Sequence, residues 1–347
     1  MNSPTLFVGL GGTGSRIVAK VSEMIPEEQR MNTGFVIIDT DVNDLPEIKS
    51  SHSQIHAVQT SARMTVGQYL DHNKHARDSW FPISKFLHGK VLSEGAGQIR
   101  AISRLGFESV MKQDGLSELH KAIDELYKVD AAAQDQSLRV TIVSSLAGGT
   151  GSGLILPVAM YIRHYLTTKM QQSANVCRGF FVLPEIFYDV IPEGQKNHLR
   201  ANAYASLREL DAFLMKGSQS LPGEYSDSVK LEFPKTGDDG YEEYQVLPYD
   251  YCFLFDAQNA DNKKLNSLEQ YMDHAAQILF SMSCGPVAKR INSSEDNVIR
   301  TISAHKGRNR YVGGGASRLV YPYEDICSLI GLEWASSNIS SQWLEYD

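Results

Sequence analysis

At 347 residues the chain has room for two domains or one large α/β domain with a sizeable core. A net charge of −8, with no basic run or aromatic-interleaved basic patch, argues against a protein that binds a nucleic-acid backbone. The four cysteines, Cys177, Cys252, Cys284 and Cys327, lie far apart in or near apolar runs, as buried reduced thiols do. No mixed His/Cys cluster has metal-ligand spacing. No apolar run reaches the ~20 residues needed to span a bilayer, and the first residues lack a signal sequence, so the expectation is a soluble cytoplasmic protein.

Leu6 to Leu10 reads as a short buried strand, LFVGL, which runs into Gly9-Leu10-Gly11-Gly12-Thr13-Gly14-Ser15 and then a helix to about Met24. Phe35 to Asp41, FVIIDTD, is a second strand ending in acids, at about the distance where a dinucleotide fold places its ribose-binding carboxylate. This opening suits a nicotinamide or flavin oxidoreductase as well as other nucleotide binders. Residues 46–93 are polar and weakly periodic; His52, His56, His72, His75 and His88 read as solvated side chains, with Trp80 and Phe81 anchoring the stretch. Glu94 to Arg104, EGAGQIRAISR, leads into a helix over Leu105 to Val129.

Val140 to Gly153, VTIVSSLAGGTGSG, organises the rest. A β-branched run feeds a glycine cluster, and Leu154 to Leu166 has helical apolar spacing, giving strand, tight loop and helix. Gly148, Gly149, Gly151 and Gly153 let backbone N–H groups approach a ligand, and Thr150 and Ser152 add hydroxyl donors. Unpaired N–H groups at the helix start, with the helix dipole, favour phosphate there. A flexible Gly/Ser linker would not be flanked so tightly by regular structure. Beyond it, Arg178 to Leu183 and Tyr251 to Phe255 read as strands, Gly217 to Pro248 as an exposed excursion or hairpin, and Leu265 to about Met282 as a helix. The lack of a GxxxxGK[ST] motif disfavours a Walker-type NTPase.

SLAGGTGSG resembles the glycine signature of the tubulin and FtsZ superfamily, with Ala147 where the family usually has its first glycine. The resemblance implies an α/β fold: a tubulin/FtsZ-like nucleotide-binding domain over residues 1–260 with a parallel sheet flanked by helices, a long core helix over 261–285, and the start of a short second α/β domain over 286–347, its first strand within Tyr311 to Tyr321. It also implies GTP or GDP with Mg²⁺. GLGGTGS would be the first phosphate loop, contributing Gly11, Gly12, Thr13 and Ser15, with Arg16 where the family carries Asn or Gln. DTDVN would place Asp41 near the magnesium ion or its waters and Asn43 near the γ-phosphate.

Gly95, Ala96 and Gly97 resemble the FtsZ loop that begins GAG and reaches an arginine, here Arg104, at the same spacing; it would wrap the γ-phosphate, with Gln98 as a donor. Gly148, Gly149, Thr150, Gly151 and Ser152 would hold the phosphates. Glu185 falls where the family has its ribose loop. Asn202 and Asn266 resemble two asparagines that read guanine, while Tyr271 reads as core. Ile291 to Thr301, INSSEDNVIRT, occupies the place of the catalytic loop, with Asn292, Glu295 and Asp296 resembling its Asn and acids although the INxDxxD spacing is not kept. In relatives this loop reaches the nucleotide of the next subunit and orients the attacking water.

The resemblance is closer to divergent bacterial tubulin-like proteins than to tubulin or FtsZ proper, and implies a head-to-tail homo-oligomer or filament, with GTP hydrolysis completed across the subunit interface. Two other readings stand beside it: a nucleotide-binding interaction module that neither polymerises nor hydrolyses, and an oxidoreductase, which leaves the second glycine loop unexplained. The main reading requires the two glycine turns, near residues 11 and 150, to converge from neighbouring strand ends onto one triphosphate.

Overall fold

The computed structural model describes residues 3–41, 44–92, 95–128, 137–171, 175–237, 240–284, 288–305, 310–316 and 322–344. Its contacts divide the chain into two units, Met1–Gly315 and Ala316–Asp347. The strands, in chain order, are β1 (Thr5–Leu10), β2 (Thr33–Asp39), β3 (Ile55–Gln59), β4 (Arg139–Ser145), β5 (Val176–Val182), β6 (Glu232–Pro234), β7 (Tyr241–Glu243), β8 (Tyr251–Phe255) and β9 (Tyr311–Gly313). The longer helices are α1 (Gly11–Met24), α2 (Arg100–Lys112), α3 (Ser117–Lys128), α4 (Gly149–Thr168), α5 (Glu193–Gly217), α6 (Leu268–Ser283), α7 (Ala288–Ala304) and α8 (Tyr323–Asn338).

Seven strands form one sheet in the order β3-β2-β1-β4-β5-β8-β9, every pair parallel. β1 and β4 are buried along their whole length, and the apolar run of β1, LFVGL, shows it without alternation, whereas β4 buries Arg139, Thr141, Ser144 and Ser145 among its apolar residues. Leu6, Val8, Val140 and Ile142 pack on one face with Leu119, Ile123, Ile155, Ile162 and Leu210 from α3, α4 and α5. On the other face Phe7, Phe35 and Ile37 meet Ile17, Val18 and Val21 of α1 and Ala275 and Leu279 of α6. The strand order reverses between β1 and β4, and that crossover opens a crevice at the carboxyl ends of those two strands. Each glycine turn follows one of them.

Several boundaries differ from the sequence expectation. The helix expected over Leu105 to Val129 is two, α2 and α3, because Asp114 takes φ +53° and Gly115 has no room for a side chain against Val110. Gly217 to Pro248 does hold a hairpin, β6 paired antiparallel with β7. Tyr311–Gly313 does not begin a second domain: it is the edge strand of the main sheet, in register with Cys252 to Leu254 of β8. The break between units therefore falls at Gly315 rather than at 286, and α7 belongs with the first unit. Ile291 to Thr301 is not a loop but lies inside helix α7. Cys177, Cys252 and Cys284 are buried free thiols as expected, whereas Cys327 is exposed on α8. No helix among the described residues is long and apolar enough to cross a membrane.

Candidate nucleotide site

At the crevice between β1 and β4, Leu10 to Thr13 and Ala147 to Gly151 line one cavity of about 230 Å³, with Gln98, Ser145, Phe187, Ile191 and Leu199. α1 starts at Gly11 after Leu10, and α4 starts at Gly149 after Gly148; neither N-cap has a side-chain hydrogen bond and neither first turn carries an acid. Their leading N–H groups are therefore presented to the cavity with no built-in anion to satisfy them. Gly11 takes φ +68°, and a Cβ there would lie 3.1 Å from Gly151 N and 3.3 Å from Thr150 Cβ. The two turns thus touch, and only glycine fits between them.

Two further segments close on these turns. Asp39 is buried, and its Oδ1 accepts hydrogen bonds from the N–H of Thr40 at 2.7 Å and of Asp41 at 3.2 Å, curling the strand end back on itself. Thr40 Oγ1 lies 2.6 Å from Thr150 Oγ1, joining the end of β2 to the second glycine turn. From the other side, Gln98 at φ +64° and Ile99 press on Gly149, where a Cβ would stand 2.7 Å from Ile99 N. Asp41 lies against Gly95, so the acidic segment and the GAG segment are neighbours.

The structure thus brings together Gly11, Gly12, Thr13, Gln98, Gly148, Gly149, Thr150 and Gly151 in one wall. Gly95, Ala96 and Gly97 form the shoulder behind Gln98. Ser15 is buried beneath the first turn, and among the described residues its Oγ has no hydrogen-bond partner. Ser152 donates its hydroxyl to Gly148 O, fastening the turn, and its carbonyl accepts from Ser206 and Arg100. Arg16 points elsewhere: it is exposed and lines a separate groove with Lys20 and Glu47. Glu185 is exposed on a short 3₁₀ turn and does not reach the cavity wall, which takes Phe187 and Ile191 instead.

Asn202 does not face the cavity either; its Nδ2 donates to Gln98 O and Ala147 O, both at 3.0 Å, tying α5 to the two loops. Asn266 is exposed before α6, its backbone N–H donating to Gln270 Oε1. Asn43 lies outside the described residues. Among the described residues no group of three or more His, Cys, Asp and Glu is placed to hold a metal. Sequence reasoning missed Thr40, Ser145, Phe187, Ile191 and Leu199; Thr40, set between two acids at a strand end, offered the one local signal.

Asn292, Glu295 and Asp296 lie at the opposite rim, beside the amino ends of β4, β5 and β8. Glu295 is enclosed: Arg139 Nε is 2.8 Å from its Oε2, Arg178 Nε 2.6 Å from its Oε1, and Tyr251 donates to Oε1 at 2.5 Å. Burial pushes the Tyr251 hydroxyl pKa well above its usual value, so it stays protonated and donating. With both oxygens engaged and a side chain 1% exposed, Glu295 is a structural anion with no face for a ligand. Asn292 is buried with Oδ1 unpaired among the described residues, while Asp296 is 57% exposed and lies 3.5 Å from Arg139 Nη2.

A family model described as tubulin like matches residues 6–339. No curated protein matches the sequence. Similar solved structures include CetZ from Methanosaeta thermophila strain DSM 6194, at 14% identity and TM-score 0.43 over 90% of this chain and 61% of that one. CetZ2 from Haloferax volcanii, solved as a GTPγS-bound protofilament, gives 14% and 0.41 over 94% and 62%. TubZ from Bacillus thuringiensis serovar israelensis, a GTPγS-form protofilament, gives 12% and 0.43 over 81% and 56%. The chain spans about three fifths of the length of these structures.

Proposed function

This chain belongs to the tubulin-like family, and from that premise we propose that it binds GTP or GDP in the crevice between β1 and β4 and assembles head to tail. The observation that carries the reading is the meeting of two uncapped helix N-termini, α1 and α4, over one cavity at the sheet crossover. Gly11, Gly12, Thr13 and Gly148 to Gly151 hold the phosphates by backbone N–H and hydroxyl groups, while Gly95 to Gln98 close over the terminal one. Asp41 supplies a carboxylate to Mg²⁺, which needs only one or two from a protein when phosphate oxygens and water complete its shell. Phe187, Ile191 and Leu199 give an apolar wall for the ribose or base. Neither Asn202 nor Asn266 lines the cavity, so the preference for guanine rests on family membership alone.

The first test is the nucleotide released when the purified protein is denatured. Guanine nucleotide supports the reading; adenine nucleotide, a flavin or a nicotinamide overturns it. Hydrolysis is completed by a neighbouring subunit, with Asp296, solvent-exposed although 3.5 Å from Arg139, as the carboxylate that orients water. Turnover per subunit then rises with protein concentration, and Asp296→Ala lowers phosphate release by at least about tenfold with GTP affinity unchanged. A rate strictly proportional to concentration and indifferent to this substitution, with no filaments by negative-stain microscopy, would favour the non-polymerising nucleotide-binding module.

A further inference from the structure

Behind the loop that carries Gln98 lies a second, larger cavity of about 610 Å³ between α2, α4 and α5. Its walls are mostly apolar, including Ile99, Leu156, Pro157, Phe213 and Leu231, with Trp80 and Arg104 on one side. The Arg104 guanidinium stacks on the Trp80 ring at 3.8 Å, and among the described residues it makes no hydrogen bond or ion pair. The acids around it are engaged elsewhere. Glu108 accepts from Asn73 at 2.5 Å and Tyr241 at 2.6 Å, Glu209 is paired with Arg100, and Glu232 lies 3.2 Å from His75. Burial lowers the Arg104 pKa to about 10 while the carboxylates of Glu108, Glu209 and Glu232 act on it through space, so the group remains charged at neutral pH with no carboxylate bonded to it among the described residues.

We propose that this cavity is a second binding site, for a small amphipathic carboxylate whose anionic end takes the Arg104 fork and whose apolar body lies between Trp80, Leu156 and Phe213. A planar guanidinium held flat on an indole leaves its edge free for two parallel bonds to a carboxylate. The apolar lining excludes a bare inorganic anion as the best fit, because it would leave most of the volume unfilled. Gln98 lines both cavities, so the occupant rests on the back of the loop that faces the nucleotide.

The probe is 2-naphthoate, titrated calorimetrically into the nucleotide-free full chain, with 2-naphthalenemethanol as its uncharged counterpart. The expected result is one naphthoate per chain, with the alcohol bound at least about tenfold more weakly. Arg104→Met lowers naphthoate affinity at least about tenfold while leaving the alcohol within about twofold, a split that a general loss of packing would not produce. Ala205→Trp, which fills the cavity from α5 without touching the charge, abolishes binding of both and carries the test if Arg104→Met fails to fold. Equal binding of the two probes, an unchanged naphthoate affinity in either variant, or no heat at millimolar naphthoate overturns the proposal. Arg104 and Ala205 line the second cavity and not the first, so naphthoate held at the first cavity would be indifferent to both substitutions and would overturn the proposal without touching the nucleotide reading.

Discussion

Gly11→Ala is expected to weaken GTP binding by about tenfold to a hundredfold while the protein remains folded. Gly11 stands at φ +68°, in the left-handed region, where an L side chain costs roughly 1–2 kcal/mol. Strain of that size lowers the melting temperature by a few degrees and does not unfold a domain of this size. The binding loss has a separate cause. The added methyl would sit 3.1 Å from Gly151 N, where the second turn offers its N–H to the same cavity. Covering that donor removes a hydrogen bond to a charged phosphate, worth about 1.5–3 kcal/mol. Isothermal titration with GTP and Mg²⁺, alongside a thermal melt, separates the two effects. A variant that bound GTP normally would mean that the turns do not share a ligand.

Glu295→Ala should instead be a stability variant, lowering the unfolding free energy by about 3–5 kcal/mol and the melting temperature by roughly 6–15 °C. Its carboxylate joins Arg139 of β4, Arg178 of β5 and Tyr251 of β8, and Arg178 is wholly buried, so the substitution strands positive charge where water cannot reach it. Replacing Arg139 and Arg178 by methionine in the same background should recover part of the loss, since an apolar cluster of similar volume needs no counter-ion. Urea denaturation of the single, double and triple variants measures this. An unchanged midpoint with lost turnover would return Glu295 to a role in hydrolysis.

The two glycine turns were legible in the sequence because each is local: an apolar strand, a short glycine run and a helix within about twenty residues suffices to place it. That both serve one cavity was also legible, through the ordered resemblance, and the contact between Gly11 and Gly151 agrees with it. The ionic cluster was not, because Glu295 is 156 residues from Arg139 and 44 from Tyr251, and nothing near the glutamate announces its partners. Its neighbours in the chain resemble a catalytic loop, whereas strands β4, β5 and β8 supply the side chains that enclose it. Asn202 shows a different limit. Its residue type suits base recognition, but only the packing of α5 reveals that its amide is committed to Gln98 and Ala147. The short strand Tyr311–Gly313 offered too few residues for its pairing partner to be read, so its place beside β8 depends on the assembled sheet.

Because all seven strands run the same way, the first unit has unlike ends, one ringed with glycine backbone and the other locked by arginines around a glutamate. Any contact that sets one end of a copy against the other end of the next is heterologous, and each addition regenerates both surfaces it consumed. A column built on that contact has a direction, and its two tips grow from chemically different faces.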